Sequence, residues 1–424
     1  MSTLSTTATL PHAAAPPARL YFLDWIRIVA FFVLILYHIG MYYVSWDWHV
    51  KSPHAGSAIE PLMLLSSPWR LGLLFLVSGV ASAFMLEKLR ALAFVRQRSA
   101  RLLLPLVFGM LVIVPPQAYL EVVEKVAYAG SYGDFMALYL RAYDGFCRGT
   151  DCLDLPTWNH LWFVAYLWTY TLLLAAIAAA LGPRMARCSA ALARLLTGWK
   201  LIVLPLAVLA VARMLLLTRF PSTHGLTDDW YNHANYFTLF LLGALLAGQA
   251  PFWREVAAQR FVALGTALAC WAALVVYFSL PEQLVAHDRI PDAVRMAQRA
   301  VFALCQWSAI VAVCGFGHRH LQFDSAKRRY LTQAVFPVYI VHQTLIVVFA
   351  HALKPVGLAP VTEALVLVVG TVTASFGCFE AVRRIPLLRA CFGIANAGVP
   401  PAAATSRTSA YGRQDRAAAA SACR

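Results

Sequence analysis

Apolar runs about twenty residues long recur throughout the 424-residue chain. About twenty residues is what a helix needs to cross the hydrocarbon core of a bilayer. Ten such spans are expected, near 20–44, 68–87, 100–121, 158–181, 199–219, 233–250, 260–280, 297–316, 330–351 and 361–382. Only closed hydrogen-bonding structures cross a membrane, so runs of this length predict helices. The expected fold class is all-α, a polytopic integral membrane protein. Composition agrees: 60% of residues are hydrophobic and 13% charged, against roughly 25% charged in soluble domains.

The net charge of +15 would suit a nucleic-acid binder, but its distribution argues against one. Basic residues gather in alternate short loops: Lys88, Arg90, Arg96, Arg98 and Arg101, then Arg184, Arg187, Arg194 and Lys200, then Arg254 and Arg260, then Arg319, Lys327, Arg328 and Arg329, and finally Arg383, Arg384 and Arg389. The intervening loops are mixed or acidic, with Glu121, Glu124, Asp134, Asp144, Asp151, Asp154, Asp228, Asp229, Glu282, Asp288 and Asp292. The positive-inside rule then puts both termini in the cytoplasm.

Residues 1–18 are Ser/Thr/Ala/Pro-rich, without a basic stretch or cleavage site, so the first span is expected to be a retained anchor. Residues 396–424 are rich in Ala, Ser and Arg, and both ends are expected to be disordered around a membrane domain spanning 19–385. In the loop 122–157, CRGTDC holds Cys147 and Cys152, either a small disulfide loop or two free thiols. The other cysteines lack metal-type spacing, and no metal site is expected. There is no phosphate-binding Gly loop, GxSxG elbow or HExxH motif, so any chemistry must be assembled from several helices.

The first span, LYFLDWIRIVAFFVLILYHIGMYYV, carries Asp24, Arg27 and His38. Ionisable groups inside a membrane helix are costly and mark function by default. Arg27 and His38 are eleven positions apart, which returns them to nearly one face, about three turns and ~16 Å along the axis. His38 is the candidate base, because histidine titrates near neutrality and can deprotonate a hydroxyl. Arg27 is either part of the same wall or a counter-ion of Asp24 three residues away. His342 is either a core hydrogen-bond partner or part of an acceptor pocket. His160 opens the fourth span beside belt tryptophans. Arg213 either snorkels or, with Arg70, Glu121 and Arg299, lines a polar cavity at the far helix ends. Arg98 and Arg101, at the start of the third span, suit the phosphates of a nucleotide-bearing donor.

These residues resemble membrane acyltransferase family 3. The R-x10-H of Arg27 and His38 is its signature, and RLGLLFLVSG (70–79) and the Arg98–Arg101 pair look like the same family. VPPQAYLE (114–121), HLWFVAYL (160–167) and FPVYIVHQTLIV (336–347) are most similar to the branch containing glucan-succinylating inner-membrane proteins of Gram-negative bacteria. The likeness runs over about residues 19–385. It implies a ten-helix core that moves an acyl group, acetyl or succinyl, from cytoplasmic acyl-CoA to a hydroxyl of a periplasmic or surface glycan or glycolipid. It implies His38 and Arg27 as catalytic, with Arg27 helping to hold the donor or the polar channel, and Arg98 and Arg101 as facing coenzyme A; Arg70, Glu121, His160, Arg213 and His342 are expected, from their positions in and at the ends of the spans, to face the substrate. Unlike many members, the fourth span has no glutamate. The rival class is a transporter or flippase for an anionic glycan, lipid or acid. That class favours internal repeats and matched broken helices, and no repeat is visible. Oligomeric state stays open.

Overall fold

The computed structural model describes residues 20–280 and 290–394. The two expected disordered ends, and Glu282 and Asp288, lie outside the described residues. The fold is helical. Among the described residues, seven helices are long and apolar enough to cross a membrane, or up to ten if each of three bent pairs counts as one span. The protein is therefore a multi-pass membrane protein.

In chain order the helices are α1 Tyr21–Tyr43, α2 Glu60–Ser66, α3 Arg70–Lys88, α4 Ala91–Phe108, α5 Pro115–Val126, α6 Tyr132–Leu140, α7 Trp162–Leu181, α8 Arg184–Leu195 and α9 Lys200–Leu216. They continue with α10 Trp230–Leu246, α11 Ala250–Ala258, α12 Arg260–Phe278, α13 Asp292–His320, α14 Ala326–Leu353, α15 Pro360–Val382 and α16 Pro386–Cys391. A two-residue hairpin, β1 Cys147–Arg148 and β2 Asp151–Cys152, closes over a Cys147–Cys152 disulfide. Of the two readings of CRGTDC, the bonded one holds.

The third expected span is two helices. The axis bends by 42° between α4 and α5. Pro115 and Pro116 supply no N–H to the preceding turn, and the chain passes through a π-helical turn, Gly109–Ile113. Val114 N–H bonds Gly109 O at 2.8 Å and Gln117 N–H bonds Val114 O at 2.9 Å. Backbone acceptors released by this irregular turn take side-chain donors instead: Tyr139 Oη–H to Met110 O at 2.8 Å, and Thr344 Oγ1–H to Ile113 O at 2.7 Å. α4 also begins earlier than expected, so Arg98 and Arg101 lie two to three turns inside it rather than at its start. The mixed-polarity LAFVRQRS stretch extends the helix. Likewise α8 and α11 are short helices turned by 111° and 117° from α9 and α10, inside what the hydropathy pattern showed only as basic loops.

α1 packs against α3, α13 and α14. Val29 and Leu36, both 53% exposed, form a lipid-facing stripe. At ~100° per residue they fall about 180° from Arg27 and His38, so the polar pair faces the interior. α3 and α10 approach closely because two glycines meet backbone: a Cβ on Gly79 would lie 1.9 Å from Phe240 O, and one on Gly243 2.1 Å from Leu76 O. Small residues of this kind let membrane helices draw together.

Candidate active site

α1 delivers His38, the start of α3 delivers Arg70, the turn before α7 delivers His160, and α14 delivers Tyr339 and His342. His38, Arg70, His160 and Tyr339, with Trp162 and Phe163, line a cavity of about 40 Å³. His342 sits directly behind His38. Four of the expected site residues therefore converge: His38, Arg70, His160 and His342.

Hydrogen bonding assigns the ring nitrogens. His342 Nδ1 lies 2.6 Å from Tyr339 O. A carbonyl only accepts, so His342 Nδ1 carries the hydrogen and, in the neutral ring, Nε2 is an acceptor. His38 Nδ1 lies 2.8 Å from that Nε2, so His38 Nδ1 is the donor. With both rings neutral, His38 Nε2 keeps a lone pair, and it has no hydrogen-bond partner among the described residues. The two rings are nearly parallel, with centroids 5.0 Å apart. An imidazole that lines a cavity and is held by its Nδ1–H keeps Nε2 able to accept a proton.

His160 differs. Its Nε2 lies 3.0 Å from Ile340 O and so donates, which leaves Nδ1 to accept from Gln117 Nε2 at 3.5 Å. Both nitrogens are committed, and Tyr339 Oη–H returns a bond to His160 O at 2.5 Å. His160 thus ties α7 to α14 and shapes the cavity with its ring.

Gln117 also donates to Thr344 Oγ1 at 2.6 Å, while its Oε1 accepts from Gln343 at 3.1 Å and Asn159 at 3.3 Å. Gln343 Nε2 donates to His49 Nε2 at 2.9 Å, and His49 Nδ1 meets Glu121 Oε2 at 2.5 Å. Lys125 completes this arm, 2.9 Å from Glu121 and 2.7 Å from Asp47. Glu121, Asp47, Lys125, Phe146 and Arg148 line a second cavity of about 120 Å³ beneath the hairpin. Glu121 thus faces this vestibule, one hydrogen-bonded chain away from the histidines.

At the other end of α1, Arg27 pairs with Asp24 at 3.5 Å, and Asp24 also pairs with the fully buried Arg328, which bonds Asp324 at 2.7 Å. Asp324, in the loop before α14, has its carboxyl held below the ordinary range, first by hydrogen bonding from Arg328. Arg98 donates to Ser82 Oγ at 3.2 Å and Thr171 Oγ1 at 3.4 Å. The charges of Arg101 and Arg27 both reach it, so the three arginines gather at one end of α1. Arg213 stacks on Phe302 at 3.6 Å and donates to Tyr231 Oη at 2.5 Å. These partners hold it among α9, α10 and α13, and neither lines the histidine cavity.

His49, Gln117, Tyr339 and Gln343 were not singled out from the sequence. Gln117 and Gln343 are buried polar residues in apolar helices, and that was their legible signal. His49 sits in a loop whose register with α14 no local pattern encodes.

The chain that builds this histidine-lined cavity belongs to the acyltransferase family: residues 20–380 match its acyltransferase domain. It is similar to the glucans biosynthesis protein C of Salmonella schwarzengrund strain CVM19633, at 25% identity over 406 residues, 93% of this chain and 99% of that one. It is likewise similar to the glucans biosynthesis protein C of Salmonella paratyphi B, at 24% identity over 402 residues, again 93% and 99%. No solved structure matches the chain.

Proposed function

We propose that this acyltransferase moves an acyl group, acetyl or succinyl, from cytoplasmic acyl-CoA to a hydroxyl of a periplasmic or surface glycan or glycolipid, with His38 as general base. The observation that carries the reading is the chain from His38 Nδ1–H to His342 Nε2 and from His342 Nδ1–H to Tyr339 O. It leaves His38 Nε2 as the acceptor facing the cavity. The names of the relatives support a glucan as the acceptor.

In this mechanism the acceptor hydroxyl gives its proton to His38 Nε2 as its oxygen attacks the thioester carbonyl. The tetrahedral intermediate collapses, the C–S bond breaks, and the thiolate recovers the proton from His38. The ester and free coenzyme A result, and His38 is neutral again. The imidazolium formed in between keeps its Nδ1–H bonded to His342, which a carbonyl orients in turn.

The Arg27 end of α1 lies at the cytoplasmic face of the inner membrane in this reading, with both termini inside, and the distribution of loop charges supports that orientation. Arg27, Arg98 and Arg101 then receive the donor's phosphates from that side. The Glu121 vestibule and the Cys147–Cys152 hairpin face the oxidising compartment, where a disulfide persists. Glycans enter there, past Glu121 and toward His160 and His342.

The test uses cell envelopes and radiolabelled acyl-CoA. Label should appear covalently on a glycan or glycolipid, and His38→Ala should reduce transfer by ~10²–10⁴-fold while still inserting in the membrane. Solute uptake without any covalent product would sink this reading and favour a transporter.

A further inference from the structure

Arg70 is buried, 7% exposed, at the first residue of α3. Its Nε and Nη1 are buried without a hydrogen-bond partner among the described residues. Its guanidinium lies over the Tyr37 ring, 3.2 Å from the centroid. A ring face offsets only part of what a cation loses on leaving water. The other buried or half-buried arginines of the bundle are better supplied. Arg328 has Asp24 and Asp324, Arg98 has Ser82 and Thr171, and Arg213 has Tyr231. Arg70 alone among these four is left with two idle nitrogens, and it lines the same cavity as His38.

A buried guanidinium with free donors is completed by an anion. Two are conceivable on an acyl donor: the carbonyl oxygen as it becomes an oxyanion, and the terminal carboxylate of a dicarboxylic acyl chain. Arg70 and His38 line the same small cavity, and the reacting carbonyl must lie beside that base, so the anion nearest Arg70 is the one that develops in the reaction.

We propose that Arg70 is a catalytic residue that donates hydrogen bonds to the acyl carbonyl oxygen as negative charge builds on it. The inference rests on the acyl-transfer reading above. Attack of the hydroxyl oxygen on the thioester carbon moves the carbonyl π pair onto that oxygen, where the Arg70 N–H groups meet it. When the C–S bond breaks, the pair returns to the carbonyl and the donors are released. Donors placed in advance at a developing oxyanion are worth about 10²–10³ in rate.

The experiment measures initial rates in cell envelopes with acetyl-CoA and succinyl-CoA as donors, for the wild type, Arg70→Gln and Arg70→Lys. R70Q should lose ~10²–10³-fold in kcat with every donor the wild type uses, at a donor KM within threefold of wild type. The unchanged KM also shows that the variant is folded. R70K should recover at least tenfold over R70Q. If R70Q does not accumulate, R70K carries the test, with about a tenfold loss in kcat at unchanged KM. The proposal is overturned if R70Q keeps kcat within threefold of wild type. It is equally overturned if the loss falls on donor KM, or on succinyl-CoA alone in a wild type that also uses acetyl-CoA, because Arg70 would then be a ground-state carboxylate ligand. A wild type that transfers no acyl group from either donor would overturn the acyl-transfer reading and this proposal together.

Discussion

His342 decides which nitrogen of His38 is available. Its Nδ1 is spent on the Tyr339 carbonyl, so its Nε2 can only accept, and His38 must present Nδ1–H to it. A replacement that still accepts at that point should preserve part of the arrangement. His342→Gln is therefore expected to keep more activity than His342→Leu, with the Leu variant down by ~10–10²-fold in the labelled-transfer assay, part of the general-base contribution. His160 should respond differently, because its ring nitrogens and backbone carbonyl hold α7 to α14. His160→Ala removes the side-chain bonds to the Ile340 carbonyl and to Gln117 and should lower folding stability by about 1–3 kcal/mol. Thermal unfolding in detergent should register a larger loss for His160→Ala than for His38→Ala, which gives up the single bond to His342.

Two elements carry the geometry of the site. The break between α4 and α5 puts Gln117 opposite Thr344, and the released Ile113 carbonyl takes the threonine hydroxyl. Thr344→Val is nearly the same shape but strips both bonds, so it should cost about 1–3 kcal/mol, read as a lower unfolding temperature. The α3–α10 crossing is the second. A side chain at Gly79 or Gly243 collides with a carbonyl on the facing helix, and a backbone atom does not swing aside as a side chain tip does. Gly79→Val and Gly243→Val are expected to destabilise by at least ~1–3 kcal/mol. Since α3 positions Arg70, transfer should fall with them. A Gly79→Val protein with wild-type thermal stability and rate would contradict this account of the crossing.

For the molecule as a whole, native cysteines can read the orientation in the membrane. Cys188 is exposed on α8, among the basic residues expected in the cytoplasm. A membrane-impermeant maleimide applied to spheroplasts should leave Cys188 unlabelled until the membrane is permeabilised. Cys147 and Cys152 should react from outside, and only after reduction. Peptide mass spectrometry resolves the sites, and labelling of Cys188 in sealed spheroplasts would reverse the proposed topology.

Much of this was legible in the chain itself, and for a physical reason. Crossing a bilayer requires long apolar helices, which is a local and one-dimensional demand. The run from Leu20 to Val44 therefore announced α1 within a residue or so. The cost of charge in a membrane marked Arg27, His38 and His342, while Arg70 and His160 stood out as polar residues at helix ends; His38, Arg70, His160 and His342 line or back one cavity, whereas Glu121 and Arg213, expected with them, do not. The break at Gly109–Ile113 was not legible, because the prolines that cause it sit in an otherwise apolar run. Nor could a linear pattern reveal that Asp24 reaches Arg328, 304 residues away, or that His49 meets Gln343. Such partners are chosen by packing across helices, where a shift of one turn changes every neighbour. The sequence by itself determined a membrane bundle with a histidine inside it. The tertiary structure alone decided that His342 orients that histidine, that His160 is fully engaged, and that Arg70 is left with donors to give.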